Sequence, residues 1–321
     1  MLQELIQKAK LWNRMRRARA ADYRTKDRTI CYHNWWSCDY EEEWFHRFIV
    51  NNIGTDSHTF HFFSVFGPRE MIAHTLGKKI LFSGENLHNI DMDFHVYRDY
   101  VLDAMDLAMG FDNLHDVKYL RFPLWIPYLF PPIVDHTRIR ERINEINRAK
   151  STCKHDCALI ASHDKWGTRR PIYDALKDHM DIHCAGRWQH NTDALWKNYE
   201  NNKLHYLADF RFSICPENTN TRFYVTEKLF EALLAGTIPI YAGGDNKPET
   251  DIVNSHAVLL WDTRETNHTP LISEIKRLQS DPIYYSKFIR QDKLLPYAEE
   301  YVYDRFTQLK NHLLRIRQEM T

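Results

Sequence analysis

A polar segment that joins an apolar strand to an amphipathic helix carries the residues best suited to bind an anion. It runs from Cys215–Asn218 to Tyr224–Lys228, and the helix that follows ends at Gly236. The N-terminus of a helix presents unpaired N–H groups and a positive dipole, which suit a phosphate group. The segment therefore indicates a phosphate-binding junction between a strand and a helix.

Lys228 falls in the first turn of this predicted helix. A cation there opposes the helix dipole, so helix stability does not explain its position. A bound anion would explain this position. Alternatively, Lys228 is an ordinary surface lysine, or it is paired with Glu231. Glu227 needs no ligand, because an acid in the first turn is favourable by itself. The residues alone leave both interpretations of Lys228 open.

Other motifs for catalysis or metal binding are missing from the sequence. It contains no Gly-x-Gly-x-x-Gly fingerprint, no P-loop and no Gly-x-Ser-x-Gly elbow. Cys153 and Cys157 are spaced like a zinc-binding pair, but no second ligand pair follows. We therefore predict ordinary thiols at these positions and no metal site.

Short apolar runs alternate with amphipathic helices, which is typical of α/β domains with mainly parallel sheets. We place a domain boundary near residue 150, with domains at 1–150 and 151–300 and a C-terminal helix, 301–321, that could pack back on the first domain. The predicted strands are 29–33, 59–66, 79–83, 107–111, 157–162, 182–185, 210–215, 237–241 and 257–261. The predicted helices are 40–52, 136–150, 170–179, 224–234, 270–279, 282–291 and 301–320.

The composition narrows the class of protein. The chain has 321 residues, of which 43 are basic and 43 are acidic, so its net charge is zero. This balance argues against a nucleic-acid-binding surface over the whole protein. An aromatic content of 13% argues against intrinsic disorder.

Residues 1–28 carry nine basic and three acidic side chains, a net charge of +6. Their apolar residues line one face of a predicted helix, which can lie on an anionic membrane surface or pack on the first domain. The N-terminus has no signal-peptide h-region, and the chain has no apolar run of 18 residues. We expect a cytoplasmic protein, with peripheral membrane contact as one of the two interpretations.

Several short motifs, spread in order over residues 30–290, resemble the α-1,3/4-fucosyltransferase family and are most similar to its bacterial members. They are Asn34-Trp35-Trp36, Ser83-Gly84-Glu85-Asn86, Asp106–Asp112, Tyr119–Leu124, Arg169 upstream of Tyr173–Leu176, Glu217-Asn218, Val225–Lys228 and Gly236–Ile240. One such motif is a weak signal, but the set in family order is specific.

The resemblance implies a GT-B fold of two Rossmann-like domains facing a cleft. It implies an inverting α-1,3-fucosyltransferase that uses GDP-fucose, an acceptor glycan of N-acetyllactosamine type and a Lewis-type product, with no cofactor and no obligatory metal. Two alternatives stay open: a GT-B enzyme for another nucleotide sugar, and a glycan-binding relative that has lost catalysis. The presence of Glu85, Arg169 and Lys228 together argues against the second.

The resemblance also implies roles for single residues. Glu85, after a predicted strand, is the candidate general base, and its alternative is a capping or solvated acid. Arg169 and Lys228 match pyrophosphate contacts, with Arg170 as a competing neighbour. The residues implied to hold the nucleotide or the fucose are Asn218, Tyr224 and Glu227, with Glu217 as a further candidate.

Trp35 and Trp36 follow the first predicted strand and could stack on the acceptor sugar or pack in the core. The chain departs from the family pattern in three places, one of which is the absence of the long heptad-repeat tail of some bacterial members. The segment 87–105 is longer than the corresponding segment of the bacterial members, and it is predicted to form a helix on the acceptor side. Pro216 replaces the aromatic residue that commonly precedes Glu-Asn.

Overall fold

The computed structural model describes residues 2–55 and 58–320, with side chains from residue 6 onward in these ranges. The chain forms two compact units, one of Met1–Asp135 with Val302–Thr321 and one of His136–Tyr301. Each unit has its own sheet, flanked by helices. The predicted α/β class is therefore present in both units.

The strands of the first unit lie in the order β1-β2-β3-β4-β5-β6, and all pairs are parallel except β1 with β2. The strands are β1 Tyr23–Arg24, β2 Ile30–His33, β3 Phe60–Phe63, β4 Lys79–Phe82, β5 Leu107–Gly110 and β6 Tyr119–Arg121. The helices are α1 Leu2–Ala20, α2 Trp44–Asn52, α3 Glu70–Ala73 and α4 Trp125–Leu129. Strands β2 and β5 are buried along their whole length, as expected for strands covered on both faces.

Helix α1 divides into a packed and an exposed part. Met15 and Ala18 pack against the core that contains Phe63 and Met71. Trp12, in contrast, is 62% exposed, and Ile6 is exposed as well. Leu2 and Leu5 also belong to the predicted apolar face, but their side chains are not among those that the structure describes. In the part of the chain that the structure describes, no helix has both the length and the apolar character needed to cross a bilayer.

The long segment 87–105 does not form the predicted helix. It contains two 3-10 turns, Asp93–Tyr97 and Leu102–Ala104. Tyr100 and Val101 have φ values of 53° and 52°. These values lie in the left-handed region, which a right-handed helix cannot include. The segment is instead anchored by buried tyrosines, and the Tyr100 hydroxyl donates to Asp112 Oδ2 at 2.8 Å.

The strands of the second unit lie in the order β11-β10-β9-β7-β8, and every pair is parallel. The strands are β7 His155–Leu159, β8 Ile182–Cys184, β9 Phe210–Ile214, β10 Ile238–Tyr241 and β11 Leu259–Leu260. The helices are α5 His136–Arg148, α6 Arg170–Leu176, α7 Ala194–Lys197, α8 Lys203–Leu207, α9 Glu227–Ala235, α10 Thr269–Ser280 and α11 Pro282–Phe288. Helix α9 ends at Gly236, whose φ of 79° suits a glycine.

The division between the units falls at residues 135 and 136, ahead of the boundary near 150 drawn from the sequence. Helix α5 thus belongs to the second unit. Lys293 Nζ donates to the carbonyls of Ile146, Asn147 and Ala149 at the end of α5, at 3.0, 3.2 and 2.7 Å. The last helix, α12 Tyr297–Gln318, enters the first unit at Val302.

Candidate functional site

A buried carboxylate, Glu217, organises the loop between β9 and α9. Its Oε1 accepts hydrogen bonds from the Thr226 backbone N–H at 2.7 Å and the Tyr241 hydroxyl at 3.1 Å. Its Oε2 accepts a hydrogen bond from the Thr226 hydroxyl at 2.7 Å. Glu217 therefore fixes the start of α9 to the end of β10. From the sequence Glu217 was only a further candidate, because nothing in the spacing reveals that Thr226 and Tyr241 converge on it.

Lys228 lies in the first turn of α9 and is paired with acids. Its Nζ is 3.2 Å from Glu217 Oε2, 2.8 Å from Thr226 Oγ1 and 3.6 Å from Glu227 Oε1. Burial acts to lower the pKa of Lys228, but Glu217 and Glu227 outweigh it and raise that pKa above its ordinary value. The ammonium group therefore stays charged and has three donors to share. Glu231, the partner considered from the sequence, is 3.9 Å from Lys203 instead.

Arg169 immediately precedes α6 and is held from both ends. Its backbone N–H donates to Asp164 Oδ1 at 3.0 Å, and its Nη2 donates to Asn218 Oδ1 at 2.8 Å. Its Nη1 is buried and has no hydrogen-bond partner among the described residues. Burial lowers the pKa of Arg169, opposed by Asp164 and Glu217, although a guanidinium stays protonated in proteins. Nη1 lies 3.9 Å from Asp164 Oδ1, which is close enough for an ion pair but too far for a hydrogen bond. A buried donor that makes no hydrogen bond is costly unless a ligand satisfies it.

The neighbouring arginines differ in environment. The Arg169 side chain is 7% exposed, whereas that of Arg170 is 55% exposed and lies 3.9 Å from Asp174. The backbone N–H of Arg170 donates to Asp164 Oδ2 at 2.8 Å. Asp164 thus caps the start of α6 and leaves the side chain of Arg170 in solvent. The structure therefore favours Arg169 over Arg170 as a ligand-binding residue.

Arg169, Glu227 and Lys228 line one pocket of about 70 Å³ next to the carboxyl ends of β7 and β9. Ligands of open parallel sheets bind at this edge. Asn218 joins the pocket residues through its bond to Arg169, and Tyr224 is buried just before α9. Burial acts to raise the pKa of Glu227, but Lys228 beside it holds that pKa below its ordinary value.

A second polar cluster, which was not predicted from the sequence, lies at this edge of the sheet. Asn220 Nδ2 donates to Thr263 Oγ1 at 2.7 Å and to Asn246 Oδ1 at 3.2 Å. Asn246 Nδ2 donates to Asp262 Oδ1 at 2.7 Å. These residues follow the ends of β9, β10 and β11, which are neighbours in the sheet. The sequence feature that could have revealed these residues is that each of them follows the end of a predicted strand of the same sheet.

Glu85 lies in the first unit, three residues after the end of β4, and its side chain is half-buried. Its backbone N–H donates to Ser83 Oγ at 3.2 Å. A Cβ at Gly84 would lie 2.7 Å from the end of the Leu124 side chain, which would have to move to make room for it. The turn thus holds Glu85 at the carboxyl edge of the first sheet, where the sequence predicted it.

Trp35 and Trp36 stack on each other with ring centroids 4.3 Å apart. Trp35 also packs edge-on against Phe45 and Phe62, and Trp36 against Phe66. Both rings are partly buried, which fits the packing interpretation. The indole N–H of Trp35 is buried and has no hydrogen-bond partner in the described ranges. A role in acceptor binding stays a prediction.

The predicted residues thus fall into two groups. Arg169, Asn218, Tyr224, Glu227 and Lys228 belong to the second unit, around one end of its sheet, and Glu217 underlies them. Glu85 and the two tryptophans belong to the first unit. The roles implied for these residues stay predictions.

Two family models match the chain. Residues 149–313 match "Glycosyltransferase family 10 (fucosyltransferase) C-term", and residues 32–128 match "Alpha-(1,3)-fucosyltransferase FucT N-terminal domain". Together they cover both units, in the order that the sequence motifs indicated. The resemblance noted from the motifs is confirmed.

Individual relatives agree with these matches. The chain is 37% identical over 101 residues to an alpha-(1,4)-fucosyltransferase of Arabidopsis thaliana, covering 31% of this chain and 23% of that protein. It is 28% identical over 202 residues to the alpha-(1,3)-fucosyltransferase FucT of Helicobacter pylori, covering 54% of this chain and 39% of that one. The matches thus span less than half of these relatives' own lengths.

A solved structure shares the fold. The crystal structure of an alpha1,3-fucosyltransferase with GDP-fucose superposes with a TM-score of 0.53 at 21% identity, over 79% of this chain and 77% of that chain. At this identity the likeness concerns the fold alone. The GT-B fold class, with two Rossmann-like units, is confirmed.

Proposed function

The chain belongs to glycosyltransferase family 10, the fucosyltransferases, and we propose that it transfers L-fucose from GDP-β-L-fucose to an N-acetylglucosamine-containing glycan. The transfer inverts the anomeric centre and forms an α-1,3 linkage, giving a Lewis-type product on an N-acetyllactosamine acceptor. A different nucleotide sugar is the principal alternative. A catalytically silent glycan-binding protein is the other.

The observation that carries the proposal is the environment of Arg169. Its Nη1 is buried without a hydrogen-bond partner in the described residues, and it lines the same pocket as Lys228. An oxygen of the donor diphosphate would satisfy that nitrogen. Hydrogen bonds to charged groups contribute about 1.5–3 kcal/mol each, which is enough to make this arginine decisive for nucleotide binding.

The proposed reaction is one in-line displacement. The acceptor hydroxyl oxygen attacks C1 of fucose, the bond from C1 to the diphosphate oxygen breaks, and GDP leaves with the electron pair. Glu85 takes the proton of the acceptor hydroxyl as general base. Arg169 and Lys228 stabilise the negative charge that develops on the leaving diphosphate. A single displacement accounts for inversion without a covalent intermediate.

A donor screen is the most direct test of the proposed function. The full chain is incubated with GDP-fucose, GDP-mannose and UDP-sugars, and product is measured with N-acetyllactosamine as acceptor. We expect transfer from GDP-fucose and at most traces from the others. Turnover of a UDP-sugar with indifference to GDP-fucose contradicts the proposal, and binding of glycan without any turnover favours the silent relative.

We predict that no divalent cation is needed for transfer, because Arg169, Lys228 and the start of α9 already supply positive charge to the diphosphate. The chain has one Asp-x-Asp pattern, Asp91-Met92-Asp93, but it belongs to the first unit, and both of its acids are exposed. Adding magnesium or manganese to metal-depleted enzyme should change the rate by only a few-fold. Asp93→Asn should leave the rate unchanged. A rate that depends strictly on added magnesium or manganese contradicts this prediction.

We also propose that α1 holds the enzyme at an anionic surface on the cytoplasmic side of a membrane. Trp12 is exposed beside Lys8, Arg16 and Arg19, and together they line a groove of about 410 Å³ with Met15 and His74. A basic residue near an anionic membrane contributes about 1 kcal/mol to binding. An exposed tryptophan among basic residues suits the interface between headgroups and acyl chains.

Sedimentation with anionic liposomes tests this contact. Trp12→Ala should weaken sedimentation at low salt and leave the melting temperature unchanged, because Met15 and Ala18 still pack on the core. Trp196→Ala is the matched control, since Trp196 is also 62% exposed but belongs to the second unit. Full-length protein that ignores anionic liposomes would exclude the contact.

A further inference from the structure

A cysteine and two histidines converge on one face of the first sheet, apart from the residues assigned to fucosyl transfer. Cys31 and His33 are two residues apart on β2 and therefore share a face. His61 on β3 lies beside Cys31 in the parallel register. The ligand atoms of these three side chains all lie within 4.8 Å of one another. The group could not be predicted from the sequence, because His61 lies on a different strand from Cys31 and His33.

The surroundings of the group are those of a built site. Cys31 and His33 are 7% and 5% exposed, and half-buried His61 leaves a path from solvent. Asp22 Oδ2 lies 2.9 Å from His33 Nδ1, while Asp22 Oδ1 is buried and accepts no hydrogen bond within the described part of the chain. A protonated His33 balances this carboxylate when no metal is bound, and a cation bound at His33 Nε2 would take over that role.

We propose that Cys31 Sγ, His33 Nε2 and His61 Nδ1 bind one Zn²⁺ ion, with Asp22 supporting His33 at its other ring nitrogen. Thiolate and imidazole are the ligands that Zn²⁺ prefers in proteins. A carboxylate beside the second nitrogen of a ligating histidine fixes the ring and strengthens the ligand. The thiolate of Cys31 and the carboxylate of Asp22 together balance the two positive charges of the ion.

The ligand atoms decide which class of cation fits. Arg24 and Lys79 are positive neighbours of His61 and oppose binding of any cation. One thiolate and two imidazoles suit a soft or borderline metal, whereas Mg²⁺ and Ca²⁺ require oxygen ligands. Water supplies the remaining coordination position.

Metal binding requires one small adjustment. His33 Nε2 and His61 Nδ1 are 2.8 Å apart and share a proton. Two Zn–N bonds of about 2.0–2.1 Å at a tetrahedral angle separate the nitrogens by about 3.3 Å. The ion therefore displaces the shared proton and moves the rings apart by about half an ångström. The Cys31 thiol releases its proton as well, so binding acidifies the medium.

The ion would tie β2 to β3 and, through Asp22, to the segment that follows α1. His33 also directly precedes Asn34-Trp35-Trp36. The bound ion would therefore stabilise the fold of the first unit, and this proposal is independent of the proposed transfer reaction. Loss of the metal is expected to lower stability, whereas loss of transfer chemistry leaves metal binding intact.

The full chain, depleted of metal, is titrated with Co²⁺ and then with Zn²⁺. We expect one Co²⁺ per chain with the near-ultraviolet absorption of a thiolate–cobalt bond, displaced by Zn²⁺, and a rise in melting temperature with Zn²⁺. Absence of the thiolate–cobalt absorption in the wild-type protein overturns the proposal. This readout does not depend on any variant folding.

Variants then locate the site. Cys31→Ser and His61→Gln should abolish the thiolate–cobalt spectrum or change it strongly, and Asp22→Asn should weaken affinity about 10–100-fold. Cys157→Ser is the matched control, because Cys157 is a buried thiol in the second unit and one of the pair considered from the sequence. A spectrum lost in Cys157→Ser but kept in Cys31→Ser overturns the proposal.

Discussion

Replacing Glu85 by glutamine is expected to slow fucosyl transfer by about two to four orders of magnitude, the usual range for removal of a general base. Glutamine keeps the size and the hydrogen bonding of the side chain but cannot take the proton of the acceptor hydroxyl. Transfer from GDP-fucose to N-acetyllactosamine is the measurement. The acidic limb of the pH–rate profile should also disappear, because it reports protonation of the base.

The affinity for GDP separates loss of the base from loss of the fold. Glu85 belongs to the first unit, whereas the residues proposed to hold the nucleotide belong to the second. Calorimetry should therefore give an unchanged dissociation constant for GDP. Glu42→Gln is the control carboxylate, because Glu42 is exposed and paired with Arg47 at 3.1 Å. Near-normal transfer by the Glu85 variant would exclude Glu85 as the base.

Much of the fold could be predicted because its signals are local. Strand β4 was predicted at 79–83 and observed at Lys79–Phe82, and β9 was predicted at 210–215 and observed at Phe210–Ile214. Apolar runs bounded by polar residues, alternating with amphipathic helices, are sufficient for an α/β interpretation. The edge strand β1 was missed because two residues provide no periodicity.

The missed features depend on contacts between distant residues. The conformation of segment 87–105 is set by contacts of buried tyrosines, such as the hydrogen bond from Tyr100 to Asp112, and not by a helical repeat. Helix α5 belongs to the second unit partly because Lys293, far along the chain, donates to its last carbonyls. Sequence spacing contains no record of such partners.

The candidate site shows the same limit. Motifs directed attention to Lys228 and Arg169, but they could not reveal that Glu217 holds the start of α9 from beneath. The spacing to Tyr173 favoured Arg169 over Arg170, but it could not show that the two residues differ in burial. This difference in burial makes the pair a matched experiment.

Arg169→Lys should weaken GDP binding by about 10–100-fold and slow transfer by about 10²–10³-fold. Lysine keeps the positive charge but loses the planar pair of donors with which arginine holds a phosphate. Loss of one charged hydrogen bond, about 1.5–3 kcal/mol, gives the change in affinity. The larger effect on transfer follows because the leaving diphosphate gains charge in the transition state. Calorimetry with GDP and steady-state kinetics are the measurements.

Arg170→Lys is the control for this experiment, since the side chain of Arg170 is largely exposed and lies 3.9 Å from Asp174. It should leave both GDP affinity and transfer within about two-fold of the unaltered enzyme, because exposed ion pairs contribute little. The Arg169 variant must keep its melting temperature within a few degrees, since Nη2 also bonds Asn218. If both variants bind GDP equally well, the buried guanidinium does not contact the diphosphate. The phosphates must then bind at another part of the strand edge, such as the cluster around Asn220 and Thr263.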